Sequence, residues 1–540
     1  MKKAKSIITV LVVVAVLALA IGVAVSGIDT VATYWALIPP VIAIGLALIT
    51  KEVYSSLFIG IVTGAIFACR GSFTKAADYV VNDGLISAIS DMAGIFLFLV
   101  ILGIIVALIN RAGATAAFGR WAKTHIKSRV GAQIATFILG VMIFIDDYFN
   151  CLTVGSVMLP VTDSHRVSRA KLSYLIDATA APICMIAPIS SWAAAVSSSV
   201  EGTNLEGVSG FELFVKAIPY NFYSLLTLVF VIALIVMKAD YGPMRRHELN
   251  AIENGDLFST EERVDGEDYE SNPKGRVIDL ILPVVILVIV SVLGLVYIGG
   301  YFGTDFGGGT DFKGDIIGAF GNTDATVGLP WGALLALIVV VIYMICRKLV
   351  TFKEAMESVP KGFIAMVPAM TILTMATALK NISNDLLKSD LYVRGLMESE
   401  AAQSLANFLP AVIFVVACLL SFATGTSWGT FQILIPIVIP MFGVDNPLLY
   451  IAMSACLAGA VCGDHCSPIS DTTIMSSAGA RCVHVNHVST QLPYAITVAG
   501  ISFVCYILAG FIQNAWICLA VGAILVIGFL FIMKKVYAKK

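Results

Sequence analysis

Two adjacent carboxylates, Asp146 and Asp147, stand inside the otherwise apolar run ATFILGVMIFIDDYFNCLTVGSVMLP. A bare charge in hydrocarbon costs several kcal/mol, roughly 2.5–3.5 by insertion scales, so two of them side by side demand a use. A buried carboxylate is neutralised either by a proton or by a bound metal cation, and the two compete for it. The pair can also titrate as one coupled unit. Neighbours on a helix point about 100° apart, so one faces a cavity while the other faces a partner group. Asp147 is taken as the cavity-facing member, with Asn150 about one helical turn on and Thr153 after it.

Three further stretches place polar and helix-breaking residues in apolar surroundings. IDATAAPICMIAPISSW carries Asp177, Ser190 and Ser191, and SFATGTSWGTFQ carries Thr424, Thr426 and Ser427. GAVCGDHCSPISDTT carries Asp464, His465, Ser467, Ser470, Asp471 and Thr472. Pro182, Pro188 and Pro468 lack an N–H and disturb the helix ladder. Freed carbonyls and hydroxyls then surround a cation, while helix N-termini face anions. Hard monovalent cations take oxygen ligands, which these segments supply. Structural roles compete with each assignment. Asp146, Asp147, Asp464 and Asp471 can cap helices at a break, Asp177 can bond a neighbouring helix, and membrane Ser and Thr often bond their own backbone. His465 can be a satisfied polar residue rather than a proton carrier. CGDHC sets Cys462, His465 and Cys466 close together, a zinc-like grouping without an obvious fourth ligand. His484 and His487 are expected in a cytoplasmic loop.

Such groups must be positioned by membrane helices. Of 540 residues, 58% are hydrophobic and 13% charged, with a mean hydropathy of +0.91; soluble domains carry about 25% charged residues. Many runs reach the roughly 20 residues that span a bilayer as helix, whereas β-barrels read as short alternating segments. The fold class is an all-α polytopic membrane protein. No Walker A motif or dinucleotide fingerprint marks a soluble enzyme. The net charge of −2 gives no footing for nucleic acid, and the 11 cysteines, mostly in apolar runs, suggest no disulfide framework. Spans are expected near 7–27, 33–50, 54–69, 90–110, 172–196, 216–238, 277–299, 329–346, 360–380, 447–478, 493–512 and 515–534. The first is longer than the apolar core of a signal peptide and is read as an uncleaved span.

The runs 131–160 and 409–440 are too long for one simple span and polar at the middle. Loop charge decides their course. With MKKAK inside, RAGATAAFGRWAKTHIKSR is also inside. If 131–160 enters and leaves on that same side, SHRVSRAK, MRRHE and CRKLVTFKEAMESVPK all fall inside, while VEGTNLEG and FGTDFGGGTDF fall outside. Treating 409–440 alike puts the C-terminal KKVYAKK inside. Both runs are therefore expected to be re-entrant hairpins, with irregular backbone tolerated only where protein or a wet cavity surrounds it. An internal likeness agrees: APISSW at 187 and SPISDT at 467 are 280 residues apart, and the same offset pairs Pro160 with Pro440 and FIDDYFN with TGTSWGT. Two inverted repeats with hairpins and broken helices at the midplane follow, a secondary-transporter plan. The expected division is an N-terminal span (1–32), a first repeat (33–238), a cytoplasmic linker (239–276), a second repeat (277–512) and a C-terminal span with a basic tail (513–540).

At these motifs the sequence resembles the NhaC-type Na+/H+ antiporter family. FIDDYFNCLTVGSVMLPVTD, LIDATAAPICMIAPISSWAAAV, FATGTSWGTFQILIPI and GDHCSPISDTTIMSSAGARCVHVNHVSTQLPYA carry the likeness, which extends from about residue 33 to 512. The resemblance implies a secondary active transporter that exchanges Na+ for H+ by alternating access. Asp147, Asn150, Asp464 and Asp471 are then the expected Na+ ligands. Na+ is the transported ion, no cofactor is expected, and the partners are Na+, H+ and the lipid bilayer, with a homodimer left open. The setting is the cytoplasmic membrane with both termini inside. The alternative is Na+- or H+-coupled transport of a small organic solute, an amino acid or a carboxylic acid such as malate or lactate. An organic-anion site needs a cation or free helix N-termini, and Lys380, at the end of a span, is the near candidate. A channel is disfavoured because it needs no inverted repeats.

Overall fold

The computed structural model describes residues 2–538 except 51–52, 71, 145, 201–207, 261–271, 304–311, 317–318, 320–322, 390, 393–394, 396–404 and 469. Among the described residues there is no strand. In chain order the helices are α1 (Lys2–Val25), α2 (Ile38–Thr50), α3 (Val53–Cys69), α4 (Phe73–Asp78), α5 (Ser87–Asp91), α6 (Ala93–Arg111), α7 (Ala114–His125), α8 (Arg129–Met142), α9 (Asp147–Ser164), α10 (Arg169–Asp177), α11 (Ala181–Cys184) and α12 (Ser191–Val200). They continue with α13 (Gly210–Ala217), α14 (Phe222–Met237), α15 (Gly242–Asn254), α16 (Ile278–Ile298), α17 (Ala325–Cys346), α18 (Phe352–Asn381), α19 (Leu409–Thr424), α20 (Ser427–Val438), α21 (Leu448–Cys466), α22 (Asp471–Gly479), α23 (His484–Ile512) and α24 (Ala515–Ala538). By length and composition, 7 described helices can cross a membrane, and the pair Phe352–Val367 and Met370–Leu386, bent by 45°, is either a broken span or a re-entrant loop.

The run 131–160 folds as helix, break, helix. Ser128 caps α8 by accepting the Gly131 N–H (3.0 Å), and the helix gives way after Met142. Arg129, at the start of α8, pairs with the Glu248 carboxylate, which also accepts the Ser168 N–H (2.9 Å) just beyond α9. Both ends of the unit thus lie at one place, and the break before Asp147 is its far tip. α10 sets out from that same place, capped by Ser168 through the Lys171 N–H (3.1 Å). It runs alongside α8, so that Thr179 reaches Gly140 at the level of the tip.

The run 409–440 is built alike. α19 and α21 pack in parallel along a glycine seam. A Cβ on Gly459 would stand 2.5 Å from the Phe414 carbonyl oxygen, and one on Gly463 2.2 Å from that of Cys418. Only glycine allows backbones this close, as membrane helices packed on small residues require. Ser421 Oγ donates across the seam to the Ala460 carbonyl (2.6 Å). α21 begins one short loop after α20 yet runs in the direction of α19, so α20 returns the chain to the side from which α19 departed. α10 lies antiparallel to α22. Arg169 donates to the Ala480 carbonyl (2.9 Å) at one end and Thr473 to Asp177 (3.1 Å) at the other.

Two expectations are corrected. The stretch 239–276 is not simply a linker, since Gly242–Asn254 is α15 and its Glu248 is 3% exposed. Asp240, just before it, pairs with the fully buried Lys171 (2.5 Å). Polarity misled here because buried ion pairs dock this segment together with only a few apolar residues, Tyr241, Met244 and Ala251. Its acidic part, 261–271, and the expected outer loop at 201–207 lie outside the described residues. His484 and His487 are not in a loop; both belong to the first turns of α23, and His487 is fully buried.

The buried apolar side chains separate into a main cluster, which includes the hairpins and α10, a second that joins Ala43, Leu57 and Ile61 of α2 and α3 to Leu379 and Ile433, and a small third of Ala20, Val23, Ala36, Phe67 and Leu387. α18 belongs to the first two, giving Ile372 and Leu373 to the first and Ala378 and Leu379 to the second.

Candidate ion-binding site

The tips and breaks described above converge on buried polar groups. Asp464, in the last turn of α21, accepts through Oδ2 from Ser427 (3.1 Å), the first residue of α20, and from Thr472 (3.0 Å) in α22. The Thr472 hydroxyl also meets that of Ser470 (3.1 Å), which caps α22 by accepting the Thr473 N–H. One carboxylate and three hydroxyls therefore stand together where a hairpin tip meets a helix break. All four residues are fully buried, and every side-chain ligand they offer is oxygen.

A second node forms at Asp177, the last residue of α10. Its Oδ2 accepts from Gln491 Nε2 (2.6 Å), Thr473 Oγ1 (3.1 Å) and His487 Nε2 (3.2 Å). His465 Nε2 donates to the Asp177 carbonyl (3.0 Å) and lies 3.9 Å from Oδ1. That bond fixes the tautomer, so His465 Nδ1 accepts the Tyr223 hydroxyl (3.2 Å). Gln491 Nε2 also donates to the His465 carbonyl (2.8 Å). This carboxylate is already surrounded by N–H and O–H donors.

The first hairpin tip supplies the third group. Asn150 Nδ2 donates to the carbonyls of Gly140 (2.7 Å), Ile143 (2.9 Å) and Thr179 (3.0 Å), tying α8, α9 and the end of α10 together, while its fully buried Oδ1 has no hydrogen-bond partner among the described residues. Asp146 and Asp147 are both fully buried. α9 carries this tip against α22. The Cys151 thiol, one turn after Asp147, meets the Ser476 hydroxyl (3.2 Å) and the Thr472 carbonyl (3.7 Å), and Gly155 lies against Gly479. Trp192 and Trp428, rings 5.4 Å apart, close the space between α12 and α20.

The remaining residues singled out in the sequence divide. Ser191, Thr153, Thr426 and Ser467 are buried at these tips and breaks. Ser190 is committed locally, donating to the Cys184 (2.8 Å) and Ala187 (3.0 Å) carbonyls and capping the Ala193 N–H. The side chains of Thr424 and Asp471 lie outside the described residues. Sequence reasoning missed Thr473, His487, Gln491 and Tyr223. His487 and Gln491 were findable, being four residues apart on one helix face in HVSTQLPYA.

Comparison with known proteins adds to this geometry. Residues 194–511 match the model of a family described as the Na+/H+ antiporter family. A Haemophilus influenzae protein, described only as uncharacterized, is 37% identical over 519 residues, 94% of this chain and 97% of its own. The malate-2H+/Na+-lactate antiporter of Bacillus subtilis is 34% identical over 108 residues, 20% of this chain and 23% of that one. The crystal structure of the YdaH transporter of Alcanivorax borkumensis shares the fold. It has a TM-score of 0.52 at 12% identity and covers 80% of this chain and 88% of that one.

Proposed function

Since the chain belongs to the Na+/H+ antiporter family and is a multi-pass membrane transporter, we propose that it exchanges Na+ for H+ across the cytoplasmic membrane by alternating access. The observation that carries this reading is the oxygen-only cluster of Asp464, Ser427, Thr472 and Ser470. Na+ is held there and at the first hairpin tip, by Asp147 and Asn150. A proton neutralises the same carboxylates when Na+ has left, which couples the two cations. The units 129–200 and 409–479 act as inverted halves around this point, exposing it to one side at a time. The test is proteoliposome transport read by a ΔpH dye against Na+, Li+ and K+. Asp464→Asn keeps shape and removes the exchangeable charge, so it should abolish cation-dependent proton movement while the protein stays folded. Wild-type Na+ dependence in this variant would overturn the reading.

A second reading, cation-coupled transport of a small organic acid, is favoured by the printed name of the Bacillus subtilis relative. The same vesicles, loaded with radiolabelled carboxylic acids, test it.

A further inference from the structure

α7 supplies no group to the ion cluster, yet its place in the protein is well defined. It follows α6, whose 19 residues are just long enough to cross a hydrocarbon core of about 30 Å. Arg111, at the end of α6, therefore marks a membrane boundary, and α7 starts there. A second marker agrees. Arg120 donates to the Gly275 carbonyl (3.3 Å), just ahead of the crossing helix α16, and Gly113 lies against Asn272. At 12 residues α7 is too short to cross. It lies along the boundary.

One face of α7 is taken up by the protein. Ala114, Ala117, Phe118 and Ala122 are buried, and a Cβ on Gly119 would stand 2.9 Å from the Val157 carbonyl oxygen of α9. The other face is open. Arg120, Trp121, Thr124 and His125, which helical spacing sets together, are exposed, as is Lys127 in the turn that follows. Trp121 is 44% exposed, and its ring stacks on that of His125 (4.9 Å). An indole half out of the protein beside basic groups suits the headgroup layer, where Trp concentrates in membrane proteins.

The charge of this face is not answered within the protein. The sequence from Met92 to Ile145 holds no Asp or Glu. The arginines that flank α7 are paired, Arg111 with Glu354 and Glu357, and Arg129 with Glu248. Arg120 instead bonds a neutral carbonyl, and among the described residues neither it nor Lys127 has a carboxylate partner. Basic groups on an amphipathic helix at the bilayer surface select lipids of net negative charge. We propose that the exposed face of α7 binds the phosphate headgroups of anionic phospholipids, with Arg120 and Lys127 on the phosphate oxygens and Trp121 in the headgroup layer. Because α7 rests on α9, a bound lipid braces the first hairpin from outside. The inference does not depend on which solute is carried.

Tryptophan quenching in the reconstituted full-length protein tests the surface. Vesicles of phosphatidylcholine carry a rising share of phosphatidylglycerol, with bromine on the acyl chains of one lipid or the other. The Trp121 signal is the difference between wild type and Trp121→Phe. Phosphatidylglycerol should be favoured over phosphatidylcholine at Trp121 by about tenfold, and high salt should weaken the preference. Arg120→Gln and Lys127→Gln should each cut it by up to about fivefold, the share of one basic side chain at an anionic surface, and the double change should abolish it. Lys127→Gln, in the turn beyond α7, serves if Arg120→Gln disturbs the helix. Equal quenching by the two lipids, or a preference unchanged in both variants, would overturn the proposal. So would a Trp121 signal that neither lipid quenches, the result expected if water or a second copy of the chain covers α7.

Discussion

Asp464 and Asp177 are both fully buried carboxylates at helix ends, with different donors on them. The Ser427 and Thr472 hydroxyls donate to Asp464, whereas imidazole and amide N–H groups, with the Thr473 hydroxyl, donate to Asp177. A carboxylate that serves two cations in turn binds one at a time: protonated at low pH it rejects Na+, and ionised at high pH it takes Na+. Apparent Na+ affinity should therefore tighten as pH rises, by up to about tenfold per unit for each proton displaced, or about 1.4 kcal/mol. The slope should flatten once the group is ionised without Na+. Titration of Na+ into purified protein from about pH 5.5 to 9, the range in which such competition is readable, measures it. Asp146→Asn should leave the one-proton slope intact if Asp147 carries the exchange. An affinity that does not change with pH would mean that the paired carboxylates serve structure. Polar residues amid apolar ones marked Asp464, Ser427 and Thr472 in the sequence. The same logic failed for His487, because HVNHVST has the polarity of a loop and its buried partner, Asp177, lies 310 residues away.

Each hairpin is held by a different device. The first depends on Glu248, whose carboxylate takes Arg129 from one end and Ser168 from the other. Breaking a buried ion pair by removing one partner costs about 3–5 kcal/mol. Glu248→Gln keeps one acceptor oxygen, so a loss near or below the lower figure is expected. A thermal-unfolding midpoint within a degree of wild type would show that the clasp contributes nothing. The second hairpin depends instead on the glycine seam of α19 and α21. The helix–break–helix form of both runs was legible from run length and mid-run polarity. α15 was not, because the signal for a helix is an apolar stripe, and the buried face of this one, Met244, Glu248 and Ala251, is interrupted by a carboxylate.

At the scale of the molecule, the expected alternation of loop charge is a statement about sides. Arg166 donates to the Ile252 carbonyl (3.0 Å), which brings the 165 and 245 regions to one end of the protein. Cysteines introduced at positions 165 and 245 should both resist an impermeant label in intact cells, while one at 205 should react. Labelling of 165 from outside, with 205 protected, would reverse the orientation. Hydropathy finds long apolar helices such as α16 and α23, but of the twelve spans expected, seven described helices are long and apolar enough to cross. The split of the interior into separate apolar clusters was not legible, because it depends on which faces of α18 and α20 meet which neighbours. The Glu248 clasp also bears on how the protein is made. Glu248 is synthesised 80 residues after Ser168, the last residue it clasps. At about 5–20 residues per second, the ribosome needs roughly 4–16 s to deliver it. For that time the completed first hairpin stands without its clasp, held only by the packing of α8 and α9 on each other and on the helices made up to then.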